Sequence, residues 1–262
     1  MQTEKVIDHI VDWLRDYAQR ANSNGFVIGV SGGIDSAVTS TLCARTGLRV
    51  LCLEMPIHQG KDQVGRAVMH MAWLRDNYPN VSRERVDLGP VYDSLVAAFP
   101  PFKGEGALEL ALANARARLR MTSLYYFAGL NGLLVAGTGN KVEDFGIGFF
   151  TKYGDGGVDL SPIADLLKSE VYELGRALGI NRDIMEAAPT DGLWGDSRTD
   201  EDQIGASYPE LERAMAWVGD NGPTDGLSDR EKQVIDIYKK YNSANRHKMV
   251  PIPVCMVPKG LK

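Results

Sequence analysis

The sequence predicts an α/β fold built on an open parallel sheet with helices on both faces. Two observations carry that expectation. Short, continuously apolar runs alternate with segments of helical periodicity, and a glycine-rich loop joins the first such run to the helix after it. Val6, Ile7, Ile10, Val11, Leu14, Tyr17 and Ala18 recur at helical spacing with charges between them, which predicts an amphipathic first helix. Asn22 to Gly25 is a turn cluster, and Phe26 to Val30 is an unbroken apolar run of the kind a strand buried on both faces requires. A helix from Ala37 to Arg45 stops at Gly47. A second strand at Val50 to Leu53, a helix around Val64 to Leu74 and a third strand at Arg85 to Leu88 follow. Good helix formers dominate Leu108 to Gly129, and Leu133 to Ala136 is another short apolar strand. Gly146 to Gly157 then breaks the pattern with five glycines in twelve positions. A helix from Lys168 to Leu178 precedes a polar, turn-rich stretch from Pro189 to Ser207, expected to be a loop. Two helices near Glu210 to Val218 and Asp229 to Tyr241 come last. The chain reads as a single domain over residues 1–262, with 1–22 an N-terminal helix and 206–262 a helical C-terminal extension.

Composition narrows the classes. The 262 residues are 44% apolar and 24% charged, values of an ordinary globular chain rather than a disordered or collagen-like one. The 29 Lys+Arg against 34 Asp+Glu leave a net charge of −5, the wrong sign for holding nucleic acid through its phosphates. Cys43, Cys52 and Cys255 form no C-x-x-C pair and point to a reducing compartment, the cytoplasm. The first residues carry Glu4, Asp8, Asp12 and Asp16 and so read neither as a signal peptide nor as a transit peptide. No apolar run approaches the roughly 20 residues of a membrane span.

Chemistry concentrates in Ser31-Gly32-Gly33-Ile34-Asp35-Ser36, between a strand and a helix. A helix N-terminus there presents free N–H groups to an anion, glycines let backbone approach a phosphate, and Ser31 and Ser36 add hydroxyl donors. Asp35 would repel a bound phosphate unless a divalent cation such as Mg²⁺ sat between them. The bland alternative is an ordinary turn in which Asp35 merely caps the helix. There is no G-x-x-x-x-G-K-[ST] loop, and Gly137-Thr138-Gly139 begins a G-x-G-x-x-G pattern only to meet Val142 at the third glycine.

That hexapeptide resembles the pyrophosphate loop of the ATP pyrophosphatases, the PP-loop superfamily, which cleave ATP between its α- and β-phosphates. Gly137 to Glu143, Gly148-Phe149-Phe150-Thr151-Lys152-Tyr153-Gly154-Asp155-Gly156-Gly157, Ala188-Pro189-Thr190 and His247-Lys248 followed by Pro251-Ile252-Pro253 narrow the resemblance to ammonia-dependent NAD synthetases. The resemblance runs in the family's order over nearly the whole chain. It implies a Rossmann-like, adenine nucleotide alpha hydrolase-like sheet. The implied reaction is amidation of nicotinate adenine dinucleotide (deamido-NAD) to NAD, the last step of NAD biosynthesis. ATP adenylates the carboxylate, pyrophosphate leaves, and free ammonia displaces AMP. By the same resemblance Gly29, Val30, Ser31, Gly32, Gly33, Ile34, Asp35, Ser36, Thr138, Lys168 and Thr190 would hold ATP, with Asp35 and Lys168 the catalytic pair. Asp35 and Glu143 would hold Mg²⁺. Asn114, Arg118, Lys152, Asp159, His247 and Lys248 would hold deamido-NAD.

The residues themselves set limits on this mapping. Asn114 and Arg118 are four apart on one helix face, while Arg116 and Arg120 fall on the opposite side and read as a solvated or salt-bridged face. Eight residues separate Glu143 from Lys152, one more than in the common form of the family, which leaves Asp144 as an alternative metal ligand. His9, His58 and His70 have no metal-ligand spacing; Cys43 and Cys52 read as small core residues; Trp194 either caps a substrate or anchors packing. Glutamine-using relatives carry an added amidase domain for which the chain leaves no room, so free ammonia is the expected nitrogen donor. Other readings are a GMP-synthetase-like or tRNA-modifying PP-loop ligase, or a non-catalytic ATP-binding sensor. Family members are homodimers, and the apolar side of the first helix and the Leu108 to Gly129 helix are the candidate contact surfaces.

Overall fold

The computed structural model describes residues 1–102, 105–190, 199–223 and 226–262, with the side chains of residues 61 and 105 left aside. Its elements in order are α1 (Thr3–Arg20), β1 (Gly25–Gly29), α2 (Ile34–Arg45), β2 (Arg49–Glu54), α3 (Lys61–Asn77), β3 (Val81–Arg85), α4 (Gly89–Ala98), α5 (Glu105–Asn131), β4 (Leu134–Val135), α6 (Lys168–Ala177), α7 (Arg182–Met185), α8 (Asp200–Ile204), α9 (Tyr208–Gly219) and α10 (Asp229–Met249). A π-helical turn, Val142–Ile147, follows β4.

The four strands lie in the order β3-β2-β1-β4, and every pairing is parallel. β1 is buried because it sits inside the sheet: Phe26, Val27 and Ile28 are sealed from solvent, which is why that run needs no polar alternation. β3 lies at an edge, and only Val81 of Val-Ser-Arg-Glu-Arg is buried. The expected third strand at Arg85 to Leu88 is therefore displaced: the strand runs Val81–Arg85, polar because an edge strand faces water. Pairing with β2 sets its register at Val50↔Val81 through Glu54↔Arg85.

One face of the sheet buries α1, α2 and α6 in a core around Ile7, Leu14, Phe26, Ile28, Leu42 and Leu174, and the other buries α5 over Val27, Leu51, Leu53 and Val135. The apolar side of α1 is thereby consumed inside the chain and is unavailable as a subunit contact. α8, α9, α10 and the π-helical turn share a third core around Val142, Ile147, Tyr208, Leu211 and Tyr238. Three helices lie where the sequence suggested none: α4, the short α7, and α8 inside the expected loop from Pro189 to Ser207, started by a capping box between Thr199 and Asp202. α10 continues to Met249, well past Tyr241.

The chain leaves β1 toward β2 on one side, and β4 returns on the other. This reversal makes the carboxyl ends of β1 and β4 the switch point, where open α/β sheets leave a crevice for ligands. The loop after β1 and the segment after β4 flank that crevice.

Candidate active site

The loop after β1 is tied to itself. Val30 N–H donates to Leu53 O at 2.9 Å, Ser31 N–H donates to Ser36 Oγ at 3.2 Å, and Ser36 Oγ donates to Gly33 O at 3.0 Å. Its two glycines do different work. Gly32 has φ +83° and presses on α3, where a Cβ would lie 2.6 Å from the Gln63 carbonyl oxygen; its own carbonyl accepts from Arg66 Nε at 3.2 Å. Gly33 is extended (φ −95°, ψ 164°) and is the N-cap of α2, where an added Cβ would meet only Ser31 Oγ at an ordinary 3.5 Å. Gly29, Val30, Ser31, Gly33, Ile34, Asp35 and Ser36 line a cavity of about 250 Å³ at the switch point, together with Thr138, Glu143, Asp144, Lys168 and Thr190. The expected ATP residues thus converge, except that Gly32 shapes the loop from behind the wall.

Deep in this cavity Lys168, at the first position of α6, sends its Nζ to Asp35 Oδ2 at 2.5 Å and to Glu143 Oε1 at 3.1 Å. Burial works against the ammonium charge, and the two carboxylates outweigh it and hold the Lys168 pKa above its ordinary value. Asn140, fully buried, joins the two acid-bearing segments: its Nδ2 donates to Asp35 Oδ1 at 3.2 Å, while its Oδ1 accepts from Val142 and Glu143 N–H at 3.1 and 3.2 Å. Two carboxylates converging on one cationic point are the hard-oxygen donor set that Mg²⁺ takes, completing its shell with water and phosphate oxygens, so these residues fit the ion. No cluster of three or more His, Cys, Asp or Glu with metal-site geometry exists among the described residues.

Glu143 and Asp144 lie in the first turn of the π-helical segment, which ends at Gly148 with φ +63°. Glu143, not Asp144, is the acid that shares Lys168 with Asp35. Asp144 lies instead over Gly139, where a Cβ would fall 2.2 Å from its Oδ1. Burial, then Glu143, Asp155 and Asp35, push its pKa up to about 8; burial pushes Asp155 up to about 6.

The residues expected to hold deamido-NAD do not line this cavity as one set. Arg118 is exposed and donates to Lys152 O at 3.4 Å, Lys152 Nζ donates to His247 O at 2.7 Å, and Lys248 Nζ donates to Gly148 and Phe150 carbonyls at 2.6 and 2.7 Å. Asn114 accepts from Thr151 Oγ1 at 2.5 Å. Asn114, Arg118, His247 and Lys248 thus brace the Gly148 to Gly157 segment, of which Lys152 is a part. Asp159 lies apart, accepting from Tyr125 OH at 3.0 Å and Val135 N–H at 2.8 Å. Tyr125 is seven residues along α5 from Arg118, about 10 Å of helix.

The expectation of a solvated or salt-bridged face is corrected for Arg120. The Arg116 guanidinium sits 4.5 Å over the Tyr92 ring, and Arg120 donates to Met55 O at 3.2 Å and lines the cavity. Arg66, Asp200, Asn140 and Tyr208 also belong to the site and were not singled out by sequence; only the Asn140 position, inside the Gly137 to Glu143 motif, offered a signal. Trp194 lies outside the described residues. His70 is a packed core residue bonded to Ser40 Oγ at 3.0 Å, and Cys43 and Cys52 are buried.

A glycine loop feeding a helix N-terminus, a parallel sheet with its switch point beside it and a lysine-bridged acid pair define a nucleotide-binding α/β protein of the PP-loop type. The family model for NAD synthase matches residues 6–251. The chain is 36% identical over 246 residues, 94% of each chain, to the NH(3)-dependent NAD(+) synthetase of Carboxydothermus hydrogenoformans. Its fold is similar to that of an NMN synthetase from Francisella tularensis, with a TM-score of 0.84, 31% identity and 99% of both chains covered. It is also similar to the NH3-dependent NAD synthetase of Campylobacter jejuni, with a TM-score of 0.78, 26% identity and 98% and 100% of the two chains covered. The chain belongs to the NAD synthase family.

Proposed function

We propose that this protein is a carbon–nitrogen ligase that amidates deamido-NAD with free ammonia at the expense of ATP. The observation that carries the reading is Lys168 bridging Asp35 and Glu143 beside the N-terminus of α2, where a triphosphate meets both donors and a cation site. Free N–H groups of the α2 N-terminus and the hydroxyls of Ser31 and Ser36 receive the phosphates, with Thr138 and Thr190 on the opposite walls. Lys168 neutralises charge that builds on the departing pyrophosphate. Asp35 and Glu143 would hold Mg²⁺, whose contribution is charge neutralisation on the phosphates.

The bonds balance in two steps. A nicotinate carboxylate oxygen attacks the α-phosphorus as the bond to the β-phosphate oxygen breaks, giving an acyl-adenylate and pyrophosphate. Ammonia nitrogen then attacks the acyl carbon, AMP leaves with the C–O electron pair, and one proton goes to solvent. The protein's task is to align these groups and exclude water from the acyl-adenylate. Arg118, Lys152 and Lys248 supply cationic groups for the acceptor's phosphates, with His247 beside them. The test is nitrogen source: ammonium supports turnover, and glutamine at equal concentration does not.

A second acceptor follows from the likeness to the Francisella tularensis NMN synthetase. Nicotinate mononucleotide carries the same carboxylate and differs in lacking the adenylate half. Competition between the two acceptors at equal concentration separates the readings, and preference for the dinucleotide supports the first. We place the enzyme in the cytoplasm, as one domain with a helical C-terminal extension and as a homodimer. Exposed Phe99, Phe102, Leu110, Tyr126 and Leu130 on and beside α5 support the dimer; sedimentation that finds an active monomer refutes it.

A further inference from the structure

Tyr208 is the first residue of α9 and only 3% exposed. Its hydroxyl donates to Glu143 Oε1 at 2.5 Å, and its ring lies under Lys168 Nζ, 4.6 Å from the ring centroid. Asp200 Oδ2 is 3.2 Å from the same hydroxyl, so the single hydrogen serves the nearer acceptor, Glu143. Both bonds to Glu143, from Lys168 and from Tyr208, fall on Oε1. Among the described residues Oε2 has no hydrogen-bond partner, which leaves that oxygen for a cation. Tyr208 is itself held by the α8–α9 core, and its N–H donates to Glu201 Oε1 at 3.0 Å. The third core and the acid pair therefore meet at one hydroxyl.

We propose that Tyr208 is a positioning residue that fixes the Glu143 carboxylate for the divalent cation and ties the seating of α8 and α9 to assembly of the site. This rests on the reading of Glu143 as a metal ligand. A carboxylate with one oxygen pinned from two directions loses its rotational freedom before the cation arrives, and partners that orient a ligand typically carry 10–100-fold of metal affinity.

The test is Tyr208→Phe, which keeps the ring against Lys168 and removes only the hydroxyl. Mn²⁺ binding is followed by electron paramagnetic resonance in the presence of α,β-methylene-ATP, with thermal melting alongside. Tyr241→Phe is the control, because Tyr241 OH donates to Gln203 O in the same core and does not touch the acid pair. Tyr208→Phe is expected to raise the Mn²⁺ Kd on the order of ten-fold. The Mg²⁺ concentration for half-maximal turnover should rise in step. Tyr241→Phe should leave the Mn²⁺ Kd within about two-fold of the parent. A Tyr208→Phe variant with a Kd inside that same two-fold range, or one that does not fold, overturns the proposal. Failure of the parent protein itself to bind Mn²⁺ removes the metal reading as well, and is distinguished by occurring without any substitution.

Discussion

Lys168 Nζ donates to Asp35 Oδ2 at 2.5 Å from a side chain only 4% exposed, so the charge that faces a bound nucleotide is itself held by half-buried acids. Replacing Lys168 with Met leaves two half-buried carboxylates without their cation. Loss of a buried partner of this kind costs about 3–5 kcal/mol. Lys168→Met should therefore melt well below the parent in the absence of Mg²⁺. It should also lose at least about 100-fold in kcat/KM, the scale on which a single charge-stabilising donor acts. A variant that keeps parental turnover shows that Lys168 is structural.

Glu143 and Asp144 are neighbours in sequence with different surroundings. Glu143 shares Lys168 with Asp35, whereas Asp144 stacks over Gly139 and is held largely protonated near neutral pH by burial. Glu143→Gln should reduce kcat at least about 100-fold at limiting Mg²⁺, and Asp144→Asn should retain the parental Mg²⁺ dependence within a few-fold. The reverse ranking in Mg²⁺ titrations of turnover would make Asp144 the ligand.

The adjacent glycines of the phosphate loop separate folding from binding. Gly32→Ala forces a Cβ to 2.6 Å from the Gln63 carbonyl at φ +83°, a conformation that costs a non-glycine residue about 1–3 kcal/mol before the clash is counted. Gly33→Ala meets only Ser31 Oγ at 3.5 Å. Urea denaturation should show a loss of more than about 2 kcal/mol for Gly32→Ala and little change for Gly33→Ala. The Gly33 variant should instead raise the KM for ATP, since that position lines the cavity. Equal destabilisation of both variants contradicts this division.

Burial lowers the His70 pKa to about 4, with a bond to the Ala37 carbonyl opposing the shift. The unfolded value is about 6.5, so the unfolded chain takes up the proton first as pH falls. The stability held by neutral His70 is complete above about pH 6.5 and is lost as pH falls toward 4, a swing of about 3 kcal/mol. Unfolding free energies of the parent and of His70→Gln at pH 7.5 and pH 4.5 should differ in slope, the variant losing less by about 2–3 kcal/mol. Identical slopes refute the assignment.

Much of the scaffold was legible because local sequence and tertiary burial agree. The apolar run at Phe26 to Val30, the glycine loop and the stripe on α1 each appear where periodicity placed them. β3 was displaced because an edge strand carries the polar residues that resemble a loop, and α8 was hidden by its short, acidic sequence. Within the site, positions carried by family resemblance converged on the cavity for ATP and divided into separate groups for the dinucleotide. Tyr208 and Arg120 were missed for one physical reason: a tyrosine at a helix start and an arginine on a charged helix look ordinary until the fold brings them to Glu143 and Met55. Contacts between distant segments leave no periodic signature.

The central claim is that this cavity activates a carboxylate as its adenylate for attack by ammonia. Incubation of the purified protein with deamido-NAD, Mg-ATP and ammonium, followed by chromatographic quantification of nucleotides and pyrophosphate, tests it most directly. NAD, AMP and pyrophosphate are expected in equal amounts; formation of ADP and phosphate, or no NAD at all, would contradict adenylation at this site.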